Sequence, residues 1–407
     1  MKMDAISTRQ ARKGRLKRGE AHRLGRADRS AVGRWFWEID RVLLALVTVL
    51  IGVGLIAVAA ASPAAAVRYS DSSLTFPPLY YFYRQCVWLA IGVPVMVAVS
   101  MLPKEAARRL SLLGASVFLL LLALTPVIGH EVNGARRWLG AGGLQIQPSE
   151  FLKPLYVVAM AWLLSLKQKD RSLPVVPISF VVTGLIAACL MKQPDFGQTV
   201  MFLLMWAALL MLSGAPLKGL AALGGMGVAA VIAAYCFYSV ARIRINNFLF
   251  QSGDTYQVDS ARRTLMHGGL FGTGPGGGTM KFRLPEPHTD YIFSVIGEEF
   301  GVIACIAIAL IYVAILVRVF VKLLDEEDNF LLLAAAGLAT EFGAQAIINM
   351  AVNVQLAPSK GMTLPFISYG GSSMVALSMG FGLLLAFTRR NPYLTRSPYV
   401  VTWNNSR

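Results

Sequence analysis

Charge is scarce in this sequence. Only 15% of its 407 residues are Asp, Glu, Lys or Arg, against 56% hydrophobic ones. A soluble domain of this length carries more charge and shorter apolar runs, so a soluble enzyme or binding module is excluded. Cysteine is rarer still. Cys86, Cys189, Cys236 and Cys305 all fall inside apolar runs, which excludes a disulfide framework and argues against a structural zinc site or redox chemistry. Acidic residues number 22 against 38 basic ones, leaving a net charge of +16. Segments of about ten residues with strict polar–apolar alternation are missing, which excludes a transmembrane β-barrel. The glycine-rich stretch GLFGTGPGGG, 269–278, lacks the Lys-Ser/Thr of a phosphate-binding loop, so a nucleotide site is not expected there. Its glycines suit a surface or re-entrant loop whose backbone approaches another segment closely.

What is present is a series of long apolar runs. Each is near the length that crosses about 30 Å of hydrocarbon as a helix. The sequence predicts an all-α polytopic membrane protein with ten transmembrane helices near 42–61, 81–102, 110–128, 150–166, 175–191, 198–213, 217–240, 291–321, 330–356 and 366–388. A basic tail, 1–41, precedes them, a large extracytoplasmic loop, 241–290, separates the seventh from the eighth, and a second tail, 391–407, follows the 42–390 domain. The N-terminal tail holds much of the positive excess, which reads as a disordered cytoplasmic segment that fixes orientation and touches anionic lipid. It has no interleaved aromatics, so nucleic acid is not an expected partner. It is also too long and basic for a cleaved signal peptide. With that tail inside, Lys104, Arg108, Arg109, Lys167, Lys169, Arg171, Lys218, Arg318, Lys322, Arg389, Arg390 and Arg396 also fall inside, as the positive-inside rule requires.

Two outer loops carry arginines against that rule: Arg136 and Arg137 in the first, Arg262 and Arg263 in 241–290. Either long loops tolerate them, or their planar forks hold an anion such as a phosphate. Glu150 and Lys153 open the fourth span at i, i+3, so they share a helical face. Two readings stand for them, a mutual salt bridge and a pair lining a wet cavity. Glu341, Gln345, Asn349 and Asn353 form one polar stripe at i, i+4 spacing, either interhelical glue or a cavity wall. Asp195 is placed to cap the sixth span. LPEPHTDYIF, 284–293, sets Glu286, His288 and Asp290 at the mouth of the eighth span, where charges are costly unless paired or functional.

The segments GARRWLGAGGLQIQPSEFLK, QPDFGQTVMFLL, YQVDSARRTLMHGGLFGTGPGGG, LPEPHTDYIFSVIGEEFG and PSKGMTLPFISYGGSS, in that order, resemble the signature segments of the SEDS family (shape, elongation, division and sporulation). The likeness spans about residues 42–390. The basic tail, GEE at 297–299 and SKGMTLP at 359–365 are more similar to the division members than to the elongation members. The resemblance implies ten transmembrane helices and a peptidoglycan glycosyltransferase that polymerises lipid II at the outer face of the cytoplasmic membrane, at the division septum. It implies a class B penicillin-binding protein and other divisome membrane proteins as partners. It makes Asp290 the essential acidic residue. It also carries over Trp138, and it places Glu150 and Lys153 along a cavity beneath Asp290. VDSARR, 258–263, is more charged than the usual version of that stretch, and Pro287 stands where Ala or Gln is common.

The expected chemistry is an inverting transfer. The 4-hydroxyl of an acceptor GlcNAc attacks C1 of the donor MurNAc, and undecaprenyl pyrophosphate leaves. A sugar hydroxyl is a weak nucleophile, so a carboxylate base is needed, and Asp290 is the candidate. Arg136, Arg137, Arg262 and Arg263 would hold the diphosphate, with Glu286 and His288 orienting Asp290 or meeting phosphate. No dedicated metal cluster is visible; a divalent cation, magnesium or manganese, would bridge the phosphates and a carboxylate. A lipid II flippase and a non-catalytic division scaffold are the rival readings.

Overall fold

The computed structural model describes residues 31–389, apart from 71–74, 133–134, 141–144, 171, 216, 251–255 and 359–360. Most of the two expected tails therefore lies outside the described residues. Within the first tail, Ala31–Glu38 is an amphipathic helix, α1. It belongs to a terminal unit separate from Asp40–Thr388.

The larger unit is almost entirely helical. It runs α2 (Arg41–Tyr69), α3 (Tyr80–Ser100), α4 (Lys104–Ile128), a hairpin of β1 (His130–Val132) and β2 (Ala135–Trp138), α5 (Pro148–Lys169), α6 (Val175–Lys192) and α7 (Phe196–Leu212). Next come α8 (Leu217–Phe237), α9 (Ser239–Phe250), α10 (Tyr256–His267) and a 3-10 turn at Met280–Arg283. The series ends with α11 (Ile292–Leu323), α12 (Asn329–Asn353) and α13 (Gly371–Thr388). Among the described residues, eight of these helices are long and apolar enough to cross a membrane, or nine if α8 and α9, bent by 102°, count as one broken span. The expected ten is not reached by length and composition, because α7 has only 17 residues, about 25 Å of helix.

Some of the differences from expectation have local reasons. The Ala-rich run after Pro63 continues α2 to Tyr69, since alanine is the strongest helix former. The last span starts at Gly371, not 366, because Phe366 sits at φ +61° in a turn. The segment 241–290 is not a plain loop, since α9, α10 and the 3-10 turn occupy much of it.

The interior is built on α5, α12 and α13, each about seven-tenths buried along its apolar window. The other helices wrap them and turn apolar side chains outward, as lipid-facing helices do. Close approach uses small residues. A Cβ on Gly92 of α3 would meet Ser378 Oγ of α13 at 2.7 Å, and one on Gly382 would meet the Met96 carbonyl at 2.7 Å. One end of the bundle is tied by buried Asp40, which caps α2 and pairs with Lys322 at 2.8 Å and Arg318 at 2.9 Å of α11. Burial works to raise the Asp40 pKa. The Lys322 ammonium, the Leu43 amide and the Arg318 guanidinium outweigh it and hold the carboxyl below its usual range. The opposite end gathers the hairpin, the α6–α7 turn, the start of α11 and the turn before α13.

At that end α11 is broken. Gly301 has φ 80° and ψ 174°, which interrupts the helix ladder and leaves backbone groups without intrahelical partners. The glycine-rich loop fills the break. Its Thr273 and Gly274 amides donate to the carbonyls of Glu298 and Glu299, at 2.9 and 3.1 Å. Its Gly269 carbonyl accepts from the Val302 amide at 3.0 Å. The contact is too close for side chains. A Cβ on Gly268 would stand 1.9 Å from the Gly297 carbonyl, and one on Gly272 2.2 Å from that of Glu299. The partner that the glycines approach is thus the protein's own broken helix.

Candidate functional site

Asp290 is half-buried at the start of α11. The segment that carries it is held by its backbone. The His288 carbonyl accepts from the Tyr369 amide at 2.8 Å. The Thr289 carbonyl accepts from Ser368 Oγ at 2.6 Å. The Asp290 carbonyl accepts from Asn349 Nδ2 at 2.9 Å and Asn353 Nδ2 at 3.1 Å. Gly361 lies against the carboxylate, since a Cβ there would be 3.2 Å from Asp290 Oδ2.

Glu286 adopts φ 49°, a conformation rare outside glycine. Its carboxylate accepts hydrogen bonds from the Tyr69 hydroxyl and, at 2.7 Å, from Thr289 Oγ1. It serves the loop's own conformation and remains partly exposed. His288 is only 3% exposed. Its ring lies among Tyr81, Tyr369 and Tyr69, with centroids 4.2, 5.2 and 5.9 Å away. Burial lowers its pKa to about 4, with the nearby Glu286 charge pulling partly the other way. At neutral pH it is therefore an uncharged packing element, which removes the charge expected of a phosphate ligand. In the unfolded chain the imidazole binds a proton near pH 6.5, so from there down to about 4 the unfolded state holds the extra proton. We expect acid to destabilise the protein across that window by up to about 3 kcal/mol. Thermal melts from pH 7 to 4 should show a smaller loss for His288→Gln than for the native chain.

Glu150 and Lys153 resolve toward the paired reading. They are 2.8 Å apart, and Lys153 is 1% exposed. Lys153 also donates to Gln345 Oε1 at 3.0 Å, and Glu150 accepts from Gln198 Nε2. Gln345 in turn donates to the Thr363 carbonyl at 3.0 Å. One helical turn further along the stripe is Asn349, which bonds to Asp290. Gln345 and Asn349 of one helix thus hold the buried ion pair and the Asp290 segment respectively, and they bond to the adjacent residues Thr363 and Met362. Asp195 caps α7 as expected, accepting from the Gln198 amide at 3.2 Å.

The expected anion-binding arginines divide. Arg137 donates to the carbonyls of Gln193 and Pro194 and lies 3.9 Å from Asp195, so its fork fastens the hairpin to the α6–α7 turn. Arg136 is exposed and meets Glu131 at 3.5 Å across the hairpin. Trp138 ends β2, half-buried. Arg262 and Arg263 are exposed on α10, and Arg262 reaches Gln355 Oε1 at 3.5 Å. Among the described residues no group of three or more His, Cys, Asp or Glu is placed to hold a metal ion.

A family model described as a cell cycle protein, spanning FtsW, RodA and SpoVE, matches residues 40–393. The chain belongs to the FtsW/RodA/SpoVE family. The resemblance drawn from the motif segments therefore holds. The chain is 38% identical over 373 residues to a probable peptidoglycan glycosyltransferase FtsW of Caulobacter vibrioides (strain NA1000 / CB15N), covering 91% of this chain and 94% of that protein. It is 36% identical to the protein of that name from Pseudomonas fluorescens (strain SBW25), covering 86% and 87%. Among solved structures it is similar to a chain described under the structural coordination of polymerization and crosslinking by a peptidoglycan synthase complex. That match has TM-score 0.69 and 27% identity, over 86% of this chain and 97% of that one. It is also similar to the rod shape determining protein RodA of Thermus thermophilus, with TM-score 0.61 and 27% identity, over 86% and 96%.

Within this FtsW/RodA/SpoVE chain the structure supplies partners for Glu298 and Glu299, whose roles sequence reasoning left open. Lys281 is buried, pairs with Glu299 and donates to the Ala60 carbonyl at 2.9 Å. Glu298 accepts from the Met280 and Lys281 amides, at 2.7 and 2.9 Å, and from His267 Nδ1 at 3.1 Å. The only signal for these roles was that two adjacent acids in an apolar span need partners. Their partners lie 17 to 31 residues away, beyond any local pattern.

Proposed function

We propose that this chain is a peptidoglycan glycosyltransferase of the septal, FtsW type, which polymerises lipid II into β-1,4 glycan strands. The observation that carries the reading is Asp290. It is a half-buried carboxylate at the bundle mouth with its backbone fixed on successive carbonyls, in a chain 38% identical to a probable peptidoglycan glycosyltransferase. In the proposed step the acceptor's 4-hydroxyl oxygen bonds to donor C1 with inversion. Its proton passes to the Asp290 carboxylate. The C1–phosphate bond breaks, and its electron pair leaves on undecaprenyl pyrophosphate.

In this proposal the chain crosses the inner membrane ten times within 42–390, with both termini cytoplasmic and Asp290 on the periplasmic side, at the septum. Arg136, Arg262 and Arg263 draw the diphosphate to the mouth. Arg137 acts by fastening the hairpin that bears Arg136 and Trp138. Glu150 and Lys153 act beneath, through the stripe, and Glu286 and His288 shape the loop. A magnesium or manganese ion would ride on the diphosphate and meet a carboxylate. The partner is a class B penicillin-binding protein, which would cross-link the strands.

The test is reconstitution with labelled lipid II, with and without that partner, reading glycan strands on a gel. Polymer made by the wild-type chain supports the reading. Lipid II crossing the bilayer without polymer would instead favour a flippase. We also expect Arg136→Ala to weaken lipid II capture about tenfold, the loss of one charge-assisted contact. Arg137→Ala should lower the melting temperature as well, because it frees the hairpin. Equal, wild-type capture by both variants would assign those arginines purely structural roles.

A further inference from the structure

The polar stripe of α12 does more than satisfy itself. Asn353 spans the turn that starts α11. Its Nδ2 donates to the Asp290 carbonyl at 3.1 Å and to the Asn349 carbonyl at 2.9 Å. Its Oδ1 accepts from the Ser294 amide at 3.1 Å and from Ser294 Oγ at 2.8 Å. One side chain thus fixes the peptide oxygen before the helix and an amide of its first turn, which it shares with the Tyr291 carbonyl at 3.1 Å. Asn349 joins the same Asp290 oxygen to the Met362 carbonyl, at 2.9 and 2.6 Å. It brings 362 and 290 together, and Gly361, beside Met362, lies against the carboxylate.

We propose that Asn349 and Asn353 are positioning residues, a clamp that sets where the Asp290 carboxylate points by holding its backbone oxygen. Neither needs to touch substrate. Both are buried, at 2% and 0% exposure. A rigid α12 is a suitable base, because it packs on α5, α7, α11 and α13 together. The carbonyls of 288, 289 and 290 are all engaged, so the backbone that carries the Asp290 side chain is held at three successive residues. A displacement of about 1 Å at a reacting group costs on the order of 10²-fold in rate, so the clamp should act on turnover and not on substrate capture.

The kinetic arm of the test rests on the glycosyltransferase reading, and a second arm does not. For the first, Asn349→Ser and Asn353→Asp are compared with wild type in lipid II polymerisation, normalised to folded protein. The expected result is a fall in kcat of about 10²-fold with KM changed by less than about threefold. Thr183→Val, which removes a buried hydroxyl 2.6 Å from the Tyr156 hydroxyl and remote from Asp290 in sequence, should lose stability and keep its kcat per folded molecule.

For the second arm, Asp290→Cys is spin-labelled in a chain whose Cys86, Cys189, Cys236 and Cys305 are replaced by Ala. The label should be immobile, and it should become mobile when Asn349→Ser is added. Asn349→Ser keeps a short neutral side chain, so it guards against the case where Asn353→Asp fails to fold. Unchanged label mobility together with unchanged kcat overturns the clamp. A mobile label in a chain whose wild type makes no polymer supports the clamp and overturns the activity reading instead.

Discussion

Asp290→Asn is expected to abolish lipid II polymerisation while leaving the protein folded. The clamp bonds go to the peptide oxygen of residue 290, not to its carboxylate, so an amide side chain keeps them. The expected loss in rate is that of proton acceptance, a general-base contribution of about 10²–10⁴. The measurement is glycan strand yield from labelled lipid II at matched levels of monodisperse protein, with the class B partner present. Asp290→Ala should behave alike, which separates loss of the base from an effect of the amide. Co-purification with the partner should survive in both variants. Normal polymer from either one, at matched folding, would remove Asp290 from the reaction and place the base at another residue.

Lys281→Met is expected to produce the largest loss of stability. Glu299 is 1% exposed and pairs with the Lys281 ammonium, while the Gly276 amide donates to its other oxygen at 3.2 Å. Without the ammonium a buried carboxylate stays behind uncompensated, which costs about 3–5 kcal/mol. The lesion falls where the glycine-rich loop enters the broken helix, nine residues before Asp290 in the numbering, so activity should fall with it. Adding Glu299→Gln to Lys281→Met should recover a good part of the stability, because it removes the orphaned charge. Melting temperature and the monodisperse fraction on size exclusion report both variants. A Lys281→Met protein as stable as wild type would mean that Glu299 takes up a proton or finds another donor.

Several parts of the site were legible in advance. Glu150 and Lys153 at i, i+3 announced a shared face, and they meet at 2.8 Å. The i, i+4 stripe announced a polar line on α12, though not its target. Asp195 before an apolar run announced a cap, and it caps α7. Other parts misled. Arg136 and Arg137 are adjacent and chemically identical, yet one is exposed and the other is fastened to the Gln193 and Pro194 carbonyls. His288, expected to orient Asp290 or meet phosphate, is buried among tyrosines drawn from α2, α3 and the turn before α13. The 241–290 stretch read as a loop because arginines and glycines dilute its hydropathy, and it folds into helices nonetheless.

Apolar content and short-range periodicity, properties of neighbours along the chain, were enough to give the membrane class, the helical character and the approximate positions of the spans. Only the tertiary structure decided which polar groups meet: Asn353 with the Asp290 carbonyl across 63 residues, Lys153 with Gln345 across 192, Lys281 with the Ala60 carbonyl across 221. In an interior without water each such group must find a partner, but many arrangements could supply one. The choice among them is made by which helices pack together, and that is a property of the whole fold.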